Sequence, residues 1–143
     1  RFENLFSTKQ VNTRSKKKLA RYILFLLENQ IAGTERNFED STATIEHILP
    51  ENPSEDEWKD VFTQEEQENY VYRLGNLTLL ESAKNNDCGT KPFSEKQKIY
   101  QQSQYQMTKQ IDYPEWTANQ IRSRQENLAK IAKSVWKISQ LSN

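Results

Sequence analysis

One histidine, His47, follows directly on a carboxylate in the run Thr44-Ile45-Glu46-His47-Ile48-Leu49-Pro50. An imidazole that takes a proton from water near neutral pH, beside a carboxylate able to hold a divalent cation, is the smallest kit for metal-assisted phosphodiester hydrolysis. Neighbouring side chains of an extended strand point to opposite faces, so Glu46 and His47 serve one site only where the strand bends or ends. Pro50 makes an early end the expectation. The plain alternative is a structural histidine inside an incidental Glu-His dipeptide. Downstream lie Gly75-Asn76-Leu77-Thr78-Leu79-Leu80 and then Asn85.

Glu46-His47-Ile48-Leu49-Pro50, Asn76 and Asn85 together resemble the HNH, or ββα-metal, nuclease motif in its His-Asn-Asn form. Further residues extend the likeness: Arg73 to Leu80, Phe93 with Lys96, Trp116 to Ile121, Arg124 and Trp136. With them the chain resembles the C-terminal nuclease domain of GmrSD-type modification-dependent restriction enzymes, and SspE-like DNA-defence nucleases, over residues 10–138.

That resemblance implies a metal-dependent DNA endonuclease domain of a bacterial restriction or anti-phage system, which nicks or cleaves DNA. It implies His47 as general base, Asn76 bracing the loop beside it, and Glu46 with Asn85 as metal ligands. Asn86 is an alternative to Asn85. Oxygen donors with several waters suit Mg²⁺ or Mn²⁺ better than Zn²⁺. Glu46 stands where many HNH enzymes carry Asp, and an Asn amide is a weaker ligand than imidazole, so weak metal binding is expected. The implied partners are DNA and an N-terminal sensor or NTPase domain of the same polypeptide. Arg73, Lys84, Lys91, Lys96, Arg122 and Arg124 are the candidate DNA contacts, with phosphate positioning as their default role. A rival reading is a non-catalytic DNA-binding or helical interaction module that keeps the HNH scaffold.

The elements that must position these residues read as an α+β chain, predominantly helical, with a short two-stranded ββα element embedded among helices. The core motif is expected over about 40–92, with flanking helices at 14–32 and 94–140. Leu19, Ile23, Leu26 or Leu27, and Ile31 recur near helical spacing over Lys16 to Ile31, and Gly33 is a C-cap candidate. Ser41 to Ile48, rich in Thr and Ile, predicts the first strand, and Leu77 to Leu80 the second.

Ser54 with Glu57, and Thr63 with Glu66, have capping-box spacing, and Trp58, Val61 and Phe62 form the apolar face of the first short helix. Gly75 is expected to allow a tight turn. Ser82 should cap a helix with Asn85 at its third position. Ser94 with Gln97 predicts a helix through about Tyr105, and Thr117 with Gln120 starts a long one striped by Ile121, Leu128, Ile131, Val135 and Ile138. Trp116 and Trp136 are expected in the core.

At 143 residues the chain is one domain of ordinary size. A hydrophobic fraction of 34% and a mean hydropathy of −0.98 predict a small core, which three Trp, six Tyr and six Phe enlarge. One cysteine, Cys88, excludes an internal disulfide and fits a reducing cytoplasm. No apolar run approaches membrane-spanning length. The chain opens at Arg1 without a signal pattern and reads as part of a longer protein. Its zero net charge divides into +5 for residues 1–38, −10 for 39–81 and +5 for 82–143. Basic flanks can meet phosphates, and the neutral total predicts weak DNA affinity for the domain alone.

Overall fold

The computed structural model of this chain describes residue 6 and residues 8–54 and 56–141, with side chains through residue 135. Helix α1 spans Lys17–Ala32 and stops at Gly33, whose left-handed φ of 67° turns the following N–H, that of Thr34, back onto Asn29 O at 3.1 Å. Of the expected stripe, Leu27 is buried and Ile23 and Ile31 pack against the same core, joined by Ala20, Leu24 and Phe25, whereas Leu19 and Leu26 remain exposed. Glu28 belongs to this face. It is buried, and its two oxygens accept from the backbone N–H groups of Gln106 (2.9 Å) and Met107 (2.8 Å). Arg21 ties the connection to the first strand by donating to Phe38 O, Asp40 O and Ala43 O.

Strands β1 (Ala43–His47) and β2 (Leu77–Glu81) pair antiparallel, with Ala43 opposite Glu81 and His47 opposite Leu77. The expected first strand was longer by two residues at its start and one at its end. Opposed residues share a face, so Ala43, Ile45, Leu77 and Leu79 enter one core, with α1 and Leu128. Leu80 enters a second core with Ile48, Leu49, Trp58, Tyr100 and Trp116. The hairpin is the wall between two apolar clusters, and its end lies at their seam.

Between the strands run α2 (Asp56–Val61) and α3 (Gln64–Tyr70). Thr63 and Glu66 form the expected capping box, at 3.1 and 3.0 Å. Ser54 does not cap through the expected exchange: its hydroxyl pairs with Thr90 at 2.6 Å. Trp58 and Phe62 are buried four residues apart, whereas Val61 faces solvent. A 3-10 turn, Leu74–Asn76, precedes β2. Gly75 has no positive φ, so turn strain does not explain it. A Cβ there would overlap the Ile121 carbonyl oxygen of the last helix, and close backbone approach is the reason for glycine.

Helix α4 (Ser82–Cys88) begins on Ser82 itself with Glu81 as N-cap, which makes Asn85 its fourth residue. Helix α5 (Phe93–Tyr100) begins after Pro92, places Ser94 inside its first turn, and ends five residues short of Tyr105. Beyond its end Ser103 Oγ accepts from Tyr105 N, two residues on, and donates to Glu81 of β2. A one-turn helix, α6 (Gln106–Lys109), follows. Helix α7 (Ala118–Leu141) starts where expected, with Gln120 Oε1 accepting from Thr117 N at 2.9 Å. Ile121 and Leu128 are buried and Ile131 packs against the first core. Trp116 is buried; the side chains of Trp136 and Ile138 lie outside the described residues.

An N-terminal strap crosses this frame. Gln10 bridges Arg73, Val11 N donates to Tyr72 O (2.8 Å), and Gln125 Nε2 of α7 holds Phe6 O (2.9 Å) and Lys9 O (3.0 Å). No helix among the described residues is long and apolar enough to cross a membrane.

Candidate active site

Strand alternation decides what the Glu-His pair does. Glu46 turns into the second core with 3% of its surface exposed. Its Oε2 accepts from Lys96 Nζ at 3.0 Å and from Tyr100 OH at 2.6 Å. The same ammonium donates to His47 O (2.9 Å) and Ile48 O (3.1 Å) and lies over the Trp58 ring. Burial pushes the Glu46 carboxyl above its ordinary value, against the Lys96 charge and the Tyr100 hydrogen bond. Burial and the Glu46 charge likewise drive the Tyr100 phenol far up.

His47 ends β1 and faces elsewhere. Its Nε2 is 2.9 Å from Thr13 Oγ1, delivered by the N-terminal strap, and 3.8 Å from Glu51 Oε1. Tyr72 meets the ring edge-on, with centroids 5.9 Å apart. Glu51 Oε2 accepts from Tyr72 OH at 2.6 Å and Arg14 Nε at 3.3 Å. Burial pulls the imidazole pKa below its ordinary value while the Glu51 charge opposes it. Burial raises Glu51, but the Tyr72 hydrogen bond, His47 and Arg14 outweigh it and leave the carboxylate lowered. The carboxylate beside the imidazole is therefore Glu51, four residues on, and not Glu46.

Asn76 is fully buried and pins the segment after His47. Its Oδ1 accepts from Leu49 N (2.8 Å) and Trp116 Nε1 (3.1 Å), its Nδ2 donates to Leu49 O and Val71 O, and its backbone O accepts from Ile48 N. These bonds hold the backbone after His47, and Asn76 itself lines no open cleft. Asn85 reaches back to β1, with Nδ2 donating to Thr44 Oγ1 (2.8 Å) and Ile45 O (3.1 Å). Thr44 and Glu46 alternate onto the same strand face, so Asn85 lies on the Glu46 side and His47 does not. Asn86 is exposed.

The expected cation between Glu46 and Asn85 does not fit these side chains as they stand. The Glu46 carboxylate is sealed from solvent, and an ammonium already occupies its Oε2. The Asn85 amide nitrogen points at the strand. Among the described residues no group of three or more His, Cys, Asp or Glu could hold a metal ion.

The six basic residues expected to meet DNA divide into two groups. Lys96 and Arg124 are buried and point inward: Arg124 Nη1 donates to Gly75 O (2.9 Å) and Leu77 O (2.7 Å), and burial lowers its pKa to about 10. Each satisfies buried carbonyls beside the hairpin, so neither faces a phosphate. Lys84 pairs with Glu81 and Lys91 with Asp87 at the surface. Arg122 bonds Tyr70 OH and Asn119 on the exposed side of α7, and Arg73 bonds Gln125 and stacks over Tyr70. Next to Glu51 a cavity of about 510 Å³ opens between residues 51–53 and α2–α3, lined by Trp58, Lys59, Phe62 and Gln67.

Sequence reasoning missed Glu51, Thr13 and Tyr72. The spacing of four between His47 and Glu51 was a usable signal across a chain reversal. Nothing local marks Thr13, because the strap brings it from 34 residues away.

No curated protein and no solved structure matches the chain. The model of the family described as GmrSD restriction endonucleases, C-terminal domain, matches residues 1–131.

Proposed function

From the premise that this chain belongs to the C-terminal domain family of GmrSD restriction endonucleases, we propose that it hydrolyses phosphodiester bonds of DNA with His47 as general base. Nucleases of this kind are generally dependent on a divalent metal. The observation that carries the reading is the mounting of His47. Its ring stands at the end of a strand, with Nε2 engaged by Thr13 and a carboxylate nearby, while Asn76 clamps the following backbone. In the reaction a water oxygen bonds to phosphorus, its proton passes to the imidazole, and the bond to the 3′ oxygen breaks, that oxygen leaving with the electron pair and taking a proton from solvent. A base with a depressed pKa stays unprotonated at neutral pH. Arg122, Lys84 and Lys91 are the surface cations left to contact phosphate, beside Arg73. The substrate DNA and a recognition domain elsewhere in the polypeptide are part of the same proposal.

One observation favours a second reading, a non-catalytic DNA-binding or interaction module. His47 turns away from Glu46 and Asn85, and Glu46 is spent on Lys96. Plasmid cleavage separates the two. Supercoiled plasmid should be nicked slowly with Mg²⁺ or Mn²⁺ and not with EDTA, and His47→Ala should lower the rate by about 10²–10⁴ with an unchanged melting temperature. Cutting that survives His47→Ala would remove the base from the scheme. No cutting under any metal would favour the module.

A further inference from the structure

We infer that Glu51 is a positioning residue for His47: held by Tyr72 and Arg14, it keeps the proton on Nε2 and leaves Nδ1 as the nitrogen that receives a proton from water. The inference rests on the nuclease reading above and deepens it by naming the group that orients the base and the atom that acts.

A neutral imidazole carries one N–H and one lone pair, and the partner of one nitrogen decides the state of the other. Two oxygens stand at Nε2, the Thr13 hydroxyl at 2.9 Å and Glu51 Oε1 at 3.8 Å. An ionised carboxylate only accepts. A lone pair on Nε2 would face that negative oxygen, whereas an N–H faces it favourably and can donate to Thr13. The carboxylate is itself fixed. Tyr72 OH donates to Oε2 at 2.6 Å and Arg14 Nε at 3.3 Å, which leaves Oε1 turned to the ring. Tyr72 serves twice, since its ring, packed against the imidazole at an interplanar angle of 81°, also limits how far the imidazole can rotate. The cluster comes from three separate segments, residues 13–14, 47–51 and 72, so it is not a by-product of one turn.

The protein carries a single histidine, so its imidazole nitrogens give one isolated signal set in a long-range ¹⁵N–¹H correlation spectrum. Above the ring's own titration, wild type should show Nε2 as the protonated nitrogen and Nδ1 as the bare one. Glu51→Leu should convert this to a mixture of tautomers and lower kcat on plasmid about 10–100-fold, with KM little changed. Glu51→Gln, whose carbonyl can still accept, should restore most of both. If Glu51→Leu fails to fold, Tyr72→Phe keeps the carboxylate but releases it, and should shift the tautomer ratio in the same direction. A wild-type spectrum with the proton on Nδ1, or a tautomer ratio indifferent to Glu51→Leu and Tyr72→Phe, overturns the inference. The spectrum needs no cleavage. A wild type that cuts nothing overturns the nuclease reading instead, and with it the use of Nδ1, even where the tautomer is as expected.

Discussion

Lys96→Met tests whether the buried ammonium is a structural cation or a DNA contact. Lys96 Nζ sits 3.0 Å from Glu46 Oε2, with both side chains almost wholly out of water. At an effective dielectric constant near 20 that separation is worth about 5.5 kcal/mol of Coulomb attraction. Desolvation of both groups offsets much of this in the intact protein. Removing one partner leaves the other's cost standing, which places the loss at about 3–5 kcal/mol. The carbonyls of His47 and Ile48 also lose their donor. Against a typical total of about 5–15 kcal/mol, the variant should be marginal at best. The assay is urea unfolding of wild type, Lys96→Met, Glu46→Gln and the double variant. Glu46→Gln removes the stranded charge, so the double variant should be more stable than Lys96→Met alone, a coupling that the cycle measures directly. A loss under about 1 kcal/mol, or a double variant no better than Lys96→Met, would refute the buried-pair argument. Weakened DNA binding at full stability would return Lys96 to the phosphate contacts.

Gly75→Ala should cost about 1–3 kcal/mol in urea unfolding, because the added methyl overlaps the Ile121 carbonyl and α7 must shift; a neutral result would show that the helix yields freely. Cys88, whose thiol is pushed to about 12 by burial and then by the Glu46 charge, should react with a disulfide reagent at pH 8 only as fast as the protein unfolds, since about one thiol in 10⁴ is ionised. Addition of urea should restore ordinary rates. Glu81 is raised by burial, but the Ser103 and Lys84 hydrogen bonds among others outweigh this and leave it lowered, as Glu51 is. Both contribute stability that is fully present above the unfolded glutamate value and lost as pH falls through their lower folded values. Urea midpoints between about pH 3 and 6 should therefore fall more gently in Glu81→Gln than in wild type.

Periodicity and capping carried the order of elements, the two strand segments and the start of α7, because these depend on near neighbours. Thr63 and Glu66 meet each other whatever the rest of the chain does. The stripe of α1 found Ile23 and Ile31 but left Leu26 and Leu27 undecided, and Leu19 fits it although it is exposed. Glu28, a carboxylate whose partners are two backbone amides 78 and 79 residues away, settled the choice. The same limit applies at the site. The bracing role of Asn76 came from the family resemblance, since partners as distant as Val71 and Trp116 leave no local mark. Lys96 and Arg124 looked like surface cations, because a sequence shows charge and not the buried carbonyls that use it. Glu46 and His47, adjacent in sequence, separate because a strand keeps its alternation up to the last residue.

The strap that carries Thr13 has a consequence for the order in which the molecule forms. It is fastened by Gln125, across separations of 119 and 116 residues from Phe6 and Lys9. Contacts of that span bear the largest loop-closure entropy and slow folding most. The hairpin and its asparagine brace need only a loop of about thirty residues, and can assemble first. Helix α7 must dock before Gln125 can clamp the start of the strap, whereas Gln10 and Val11 join Arg73 and Tyr72 without it. A chain with α7 undocked can therefore already bring Thr13 to the imidazole, and what it lacks is the clamp on Phe6 and Lys9.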